Sequence, residues 1–303
     1  MRNRGRSDVD LAPVRVSCPD WAEALLNGFS QIVLQRQPLC GLLCLLAILL
    51  GAPALLGGAL LGGLAGLLTA QRRDYPKAER QAGLYSYNGV LLGLLISQHF
   101  AWSVMVVPLI LACGGLSAIL TRQWLRHTTQ PEALPAYTAP FVGLGWLLLG
   151  AAAESAVALR EPDALGIVSA PFSGLAQILL LDQPLAGALI ALGLCLANRR
   201  AAAWALTGAV LGVLFALLLG EPVGALLGLH SYNPALAALA LSGTRRRPGL
   251  PLAGIALAII LTPGFAALHL PALTAPFILA CWLVRASRRM WHKARVDSPF
   301  ESP

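Results

Sequence analysis

The sequence predicts an all-α polytopic membrane protein, an inverted repeat of two halves, each with five transmembrane helices plus one re-entrant half-helix. Three observations predict it. The 303-residue chain is 57% hydrophobic and only 12% charged, with a mean hydropathy of +0.69, whereas a soluble domain carries roughly 25% charged residues. Its apolar runs, many of about 15 to 20 residues, are separated by short charged loops, as in helices that satisfy their own backbone in lipid. Lastly, the polar motifs of the first half return in the same order in the second. The alternating pattern of a membrane β-barrel is absent.

The elements follow in order. A polar leader (1–20) holds Arg2, Arg4, Arg6 and Arg15. The first apolar segment, Trp21–Leu34, starts behind Pro19-Asp20, an acidic residue being favourable at a helix N-terminus. Pro38 is expected to stop it. A second run covers Leu39–Leu50. The third, Ala54–Ala70, carries Gly58, Gly62 and Gly66 at four-residue spacing, a small-residue face for close helix packing in lipid. After the charged loop Gln71–Gln81 comes Gly83-Leu84-Tyr85-Ser86-Tyr87-Asn88-Gly89-Val90-Leu91. Its apolar part is too short for a hydrocarbon core of roughly 30 Å, so it is expected to be the re-entrant piece. Ala101–Leu120 follows. Then Leu134-Pro135-Ala136-Tyr137-Thr138-Ala139-Pro140-Phe141 opens the last helix of the half.

The same order restarts after a polar linker. The segment around Gln31 and Pro38 is answered by Gln177 and Pro184. Gly228-Leu229-His230-Ser231-Tyr232-Asn233 answers Gly83–Asn88, and Leu270-Pro271-Ala272-Leu273-Thr274-Ala275-Pro276-Phe277 answers the first threonine segment. The third pair is closer in sequence than the first two, which reads as a loop deletion. The expected organisation is a cytoplasmic leader (1–20), a first transmembrane repeat (21–153), a linker (154–163), a second repeat (164–284) and a basic cytoplasmic tail (285–303). An odd number of spans per half inverts the second half relative to the first.

The basic residues set the expected orientation. With the N-terminus inside, the leader, Arg122, Arg126, Arg245–Arg247 and the C-terminal cluster fall on the inner side. Arg36, the Arg72–Arg80 group, Arg160, Arg199 and Arg200 fall on the outer side. The inner set is larger, which favours cytoplasmic termini, although the Arg72–Arg80 loop runs against it.

Several function classes are excluded. The net charge of +8 sits in termini and loops rather than on an aromatic-interleaved face, so nucleic acid is not a partner. The cysteines (Cys18, Cys40, Cys44, Cys113, Cys195, Cys281) lack metal-ligand spacing and read as small packing residues. No metal site or cofactor is expected. Walker loops, zinc motifs and nucleophile elbows are absent, and His99, His127, His230, His269 and His292 form no catalytic spacing, so the chain is not read as an enzyme. The spans hold almost no ionisable residues, which ion-coupled carriers need at depth. That leaves passive passage of a neutral solute.

The polar groups at depth are Gln31, Gln177, Thr138, Thr274, Asn88, Asn233 and the tyrosines. A lone glutamine or threonine would be ordinary interhelical glue; matched pairs are better explained by a pseudo-twofold axis that brings them together near the midplane, where they line one path. Asn88 and Asn233 are expected to satisfy the broken backbone beside them, and His230 to be a local packing residue.

Taken together, G-L-Y-S-Y-N-G-V-L, G-L-H-S-Y-N-P-A-L, the two L-P-x-x-T-A-P-F segments and the two Q-[IL]-x-L…Q-P segments resemble the urea transporter family, from about Trp21 to Val284, in its bacterial form. The resemblance implies a facilitative urea channel in the inner (plasma) membrane and a homotrimer with one pore per protomer between two inverted halves. It implies Thr138 and Thr274 as central pore threonines, and Gln31 and Gln177 as polar contacts towards the two ends. It further implies Tyr87 and Tyr232 as aromatic slot residues and Leu91 and Leu236 as apolar slot walls. Leu34 stands where that family often has phenylalanine, and His230 where an aromatic is usual. Urea is flat, neutral and rich in N–H donors, so an array of neutral oxygens between apolar walls suits it. The alternative cargo is another small neutral solute: a short amide, ammonia or water.

Overall fold

The computed structural model describes residues 20–127, 134–151, 166–243 and 248–296. The expected linker, Arg160, Arg245–Arg247 and nearly all of the leader lie outside these. Among the described residues all regular structure is helical. The first half contains α1 (Asp20–Ile32), α2 (Pro38–Gly51), α3 (Pro53–Arg72), α4 (Lys77–Gln81), α5 (Tyr87–His99), α6 (Val106–His127) and α7 (Ala139–Ala151). The second contains α8 (Gly166–Gln177), α9 (Pro184–Ala197), α10 (Arg199–Leu218), α11 (Pro222–Leu226), α12 (Tyr232–Leu241), α13 (Gly249–Ala267) and α14 (Ala275–Val296). The last helix runs past Arg285 into the basic tail. The helices α3, α6, α10 and α13 are each long and apolar enough to cross a bilayer, and Leu147, Leu218 and Ile260 project from the outer surface. The molecule is an integral membrane protein of helical type.

Pro38 does not end α1, as expected from the sequence, but opens α2. The helix stops at Ile32, and Leu34 takes a left-handed conformation with φ 57°. The chain then turns back on itself: Ser30 Oγ donates to the Gln35 carbonyl at 2.9 Å and accepts from the Gln37 amide at 3.3 Å. A proline at the first helical position loses nothing, because that N–H has no intrahelical partner. Leu180, in the matching place after α8, has the same φ of 57°.

The segment Gly83–Leu95 also departs from expectation. It does not dip in and return. Gly66 of α3 packs against the Tyr85 carbonyl, Gly62 against that of Gly89, Gly58 against that of Gly93, and Gly57 against the ring of Trp102. The chain from Tyr85 to Trp102 therefore runs antiparallel along the Gly57–Gly66 stretch of α3, at the centre of a 20-residue helix. Irregular backbone on both sides of α5 supplies the length that its 13 helical residues lack. A methyl group on Gly62 would overlap the Gly89 backbone, so the glycine spacing seen in the sequence is what lets the two backbones touch.

Two ion pairs then correct the sorting of charged loops. Lys77 Nζ lies 2.8 Å from Asp20 Oδ2, and Arg122 Nη1 lies 3.0 Å from Glu79 Oε2. The start of α1, the Arg72–Arg80 loop and the end of α6 share one end of the molecule. The expectation had separated Arg122 from that loop by a membrane. It went wrong because the segment through α5 was counted as returning to the side it left.

Candidate functional site

The residues singled out by duplication meet where the two halves touch. Thr138, just before α7, and Thr274, just before α14, place their hydroxyl oxygens 2.7 Å apart. Both side chains are buried. Each threonine heads a helix whose first regular hydrogen bond returns to its own carbonyl: Val142 N–H to Thr138 at 3.0 Å and Ile278 N–H to Thr274 at 3.2 Å. The residue before each is left-handed, Tyr137 at φ 44° and Leu273 at φ 42°.

Buried apolar side chains lie on the same elements and on those packed against them. Tyr87 donates its hydroxyl to the Tyr137 carbonyl, and Leu91 lies one turn further along α5, on the same face. Tyr232 and Leu236 hold the corresponding positions on α12. Leu91, Leu236, Phe141 and Phe277 are each 1% exposed, and the Tyr137 ring meets Phe277 edge-on at 4.9 Å. A hydroxyl pair in such a wall is the sort of buried polar contact that persists only when both partners are satisfied.

Gln31 and Gln177 sit in the last turns of α1 and α8 and are half-buried. Gln177 donates to the Leu227 carbonyl at 3.2 Å. Among the described residues no hydrogen bond joins either glutamine to the threonine pair. The structure thus sets Thr138 against Thr274 and ties Tyr87 to the residue before Thr138, buries Leu91 and Leu236 in the same apolar core, and leaves the glutamines at the two helix tips.

Asn88 and Asn233 differ from expectation. The backbone they satisfy is not the one beside them but the start of the threonine helices. Asn88 Oδ1 accepts the Phe141 amide at 3.3 Å, and Asn233 Oδ1 accepts the Phe277 amide at 3.2 Å. His230 is also more than packing: its Nε2 lies 2.8 Å from Glu221 Oε2. Tyr85, its counterpart, donates its hydroxyl to Glu79. Each half thus sets a carboxylate against the residue preceding its Ser-Tyr-Asn.

An apolar cleft of about 890 Å³ lies between α6 and α7, lined by Leu120, Trp124, Leu134, Pro140 and Leu147 among others. Neither threonine lines it, so its volume is not that of a route through the pair.

Residues 22–289 match the family described as urea transporter. The chain belongs to the urea transporter family. Urea transporter 1 of Rattus norvegicus is 28% identical over 306 residues, covering 89% of this chain and 77% of that protein. Urea transporter 1 of Mus musculus is also 28% identical over 306 residues, with the same shares covered. That of Ovis aries is 26% identical over 300 residues, again with 89% and 77% covered.

Within this urea transporter fold, sequence reading overlooked two tryptophans. Trp146 Nε1 donates to the Pro271 carbonyl at 2.8 Å, and Trp282 Nε1 donates to the Pro135 carbonyl at 2.9 Å. Each belongs to one threonine helix and holds the L-P segment of the other. The signal was available, since both follow their threonine at the same spacing. Trp282 also stacks on Trp124 at 5.4 Å.

Proposed function

We propose that this urea transporter family member carries urea passively through a path between two inverted halves, with Thr138 and Thr274 at its middle. The observation that carries the reading is the buried 2.7 Å hydroxyl pair between the two halves. Such a pair uses one hydroxyl proton and keeps another, with spare lone pairs. Urea brings both donors and an acceptor. It can trade places with the mutual hydrogen bond at little net cost, because each such bond contributes only about 1 kcal/mol in exchange with competing partners. Leu91, Leu236, Tyr87 and Tyr232 would form flat slots on either side. Gln31 and Gln177, at the tips of α1 and α8, would offer oxygens towards the two ends. Weak, repeated sites of this kind suit rapid conduction.

The same reading assigns α1 and α8 as the re-entrant half-helices and leaves five crossings per half: α2, α3, α5, α6 and α7, then α9, α10, α12, α13 and α14. Matched left-handed residues favour the duplication: Leu34 with Leu180, Asp74 with Gly220, Gly83 with Gly228, and Tyr137 with Leu273. The halves are 21–153 and 164–284, joined by 154–163, with a leader and a basic tail outside the bilayer. Moving the Arg72–Arg80 group to the end that holds Arg122 strengthens the positive-inside argument for cytoplasmic termini, in an inner membrane. A homotrimer is the assembly proposed, each protomer conducting by itself.

Purified protein in liposomes, followed by stopped-flow light scattering, tests the function. Urea uptake should be fast without ATP or an ion gradient, and thiourea or methylurea should compete. Uptake no faster than in empty liposomes would overturn the reading. Uptake of ammonia or water in place of urea would give the path to another small neutral solute.

A further inference from the structure

Thr138 and Thr274 occupy helix N-cap positions, where a threonine oxygen ordinarily accepts the N–H of the second or third helical residue. Had either done so, its hydroxyl oxygen would be held against its own helix. Both local donors are withheld. The second helical residue is Pro140 in α7 and Pro276 in α14, and proline has no N–H. The third is Phe141 or Phe277, whose N–H is taken from another helix by Asn88 Oδ1 at 3.3 Å or Asn233 Oδ1 at 3.2 Å.

The asparagines are themselves fixed. Each is 1% exposed. Asn233 Nδ2 donates to the Leu273 carbonyl at 3.0 Å. Asn88 Nδ2 donates to Thr121 Oγ1 at 3.2 Å, while that hydroxyl spends its own proton on the Ser117 carbonyl at 2.8 Å. With the amide NH2 committed to an acceptor in each case, the Oδ1 must face the phenylalanine N–H.

We infer that Asn88 and Asn233 are positioning residues which, with Pro140 and Pro276, deny the two threonines their capping partners and so turn their hydroxyls into the path. The inference rests on the path proposed above. It explains why T-A-P-F and S-Y-N occur together in both halves: the proline removes one competitor for the hydroxyl, and the asparagine occupies the other. Neither asparagine needs to touch the solute.

Pro140→Ala is the sharpest test, because it removes no tertiary hydrogen bond and returns an N–H to the second helical position. Thr138 can then cap its own helix. Flux per protein in liposomes should fall several-fold while the melting temperature holds or rises, and the fall should vanish in a Thr138→Val background. Asn88→Leu, which releases the Phe141 N–H to Thr138, should behave likewise, with an approximately tenfold loss that is again absent beside Thr138→Val. If Thr138→Val alone lowers flux but Pro140→Ala leaves it unchanged, or if its loss multiplies with that of Thr138→Val, the positioning role is wrong and the path stands. If Thr138→Val leaves flux intact, the path reading itself fails and takes this inference with it.

Discussion

Trp146 of α7 gives its indole N–H to the Pro271 carbonyl at 2.8 Å, across the junction of the two halves, and Trp282 of α14 returns the bond to Pro135 at 2.9 Å. The proline before each kinked Thr segment is thus tied to the helix that follows the other.

Replacing either indole by phenylalanine tests the clasp. Trp146→Phe removes one hydrogen bond and should cost about 1 kcal/mol. Trp282→Phe also weakens the stack on Trp124, worth roughly 0.5–1.5 kcal/mol more, so it should be the more damaging. Thermal unfolding of both variants in the same detergent gives the order; no loss in either would assign the clasp no energetic weight, and equal losses would assign none to the stack.

Thr138→Val together with Thr274→Val replaces the central oxygens by methyl groups of nearly equal volume. Urea permeability should drop about tenfold or more, each lost hydroxyl being worth about 1 kcal/mol at the crossing point. Yield and melting temperature should hold, because an apolar pair of the same shape leaves no orphan. Full retained flux would remove the threonines from the mechanism.

Gly62→Val should be severe. Its added atoms would enter the Gly89 backbone, and overpacking of this kind costs roughly 1–3 kcal/mol, occasionally more. Gly143→Ala is the control, since nothing lies within 4 Å of its added methyl. Comparing the folded, monodisperse fraction of the two by size-exclusion chromatography is sufficient.

The Asp20 carboxyl is held below the usual carboxylate range by its hydrogen bond to Lys77 and that side chain's charge. A depressed folded-state pKa gives a contribution present above the unfolded value, near ~3.9, and lost as pH falls through the folded value. Lys77→Met should therefore cost a small amount of stability at pH 7, a difference from the parent that closes as pH falls below about 4. Both side chains are exposed, so salt should mask the difference. A melting series over pH 3–7 at low and high salt reads it.

The helical membrane class and the pairing of Thr138 with Thr274 were legible in the sequence because lipid imposes long apolar runs and leaves few polar residues to compare. The course of the chain between Gln81 and Val106 was not. Apolar length counts helical residues, and the course of this segment shows instead in the contacts of Gly58, Gly62 and Gly66 and in the Arg122–Glu79 ion pair. The sidedness of Arg122 failed with it. The asparagine bonds to Phe141 and Phe277 were hidden for another reason: a buried amide advertises that it needs partners but not whose they are.

The contacts joining the halves come in reciprocal sets. Trp146 and Trp282 exchange bonds with the two prolines, Gln183 reaches the Gly51 carbonyl at 2.8 Å while Gln37 reaches that of Leu196 at 3.5 Å, and Thr138 meets Thr274. A surface that answers itself in this way is isologous, the kind by which identical subunits form closed dimers. The peptide joining the halves then acts through effective concentration, keeping two self-complementary partners together. Two separate chains carrying the halves, expressed in one membrane, would have what they need to find each other.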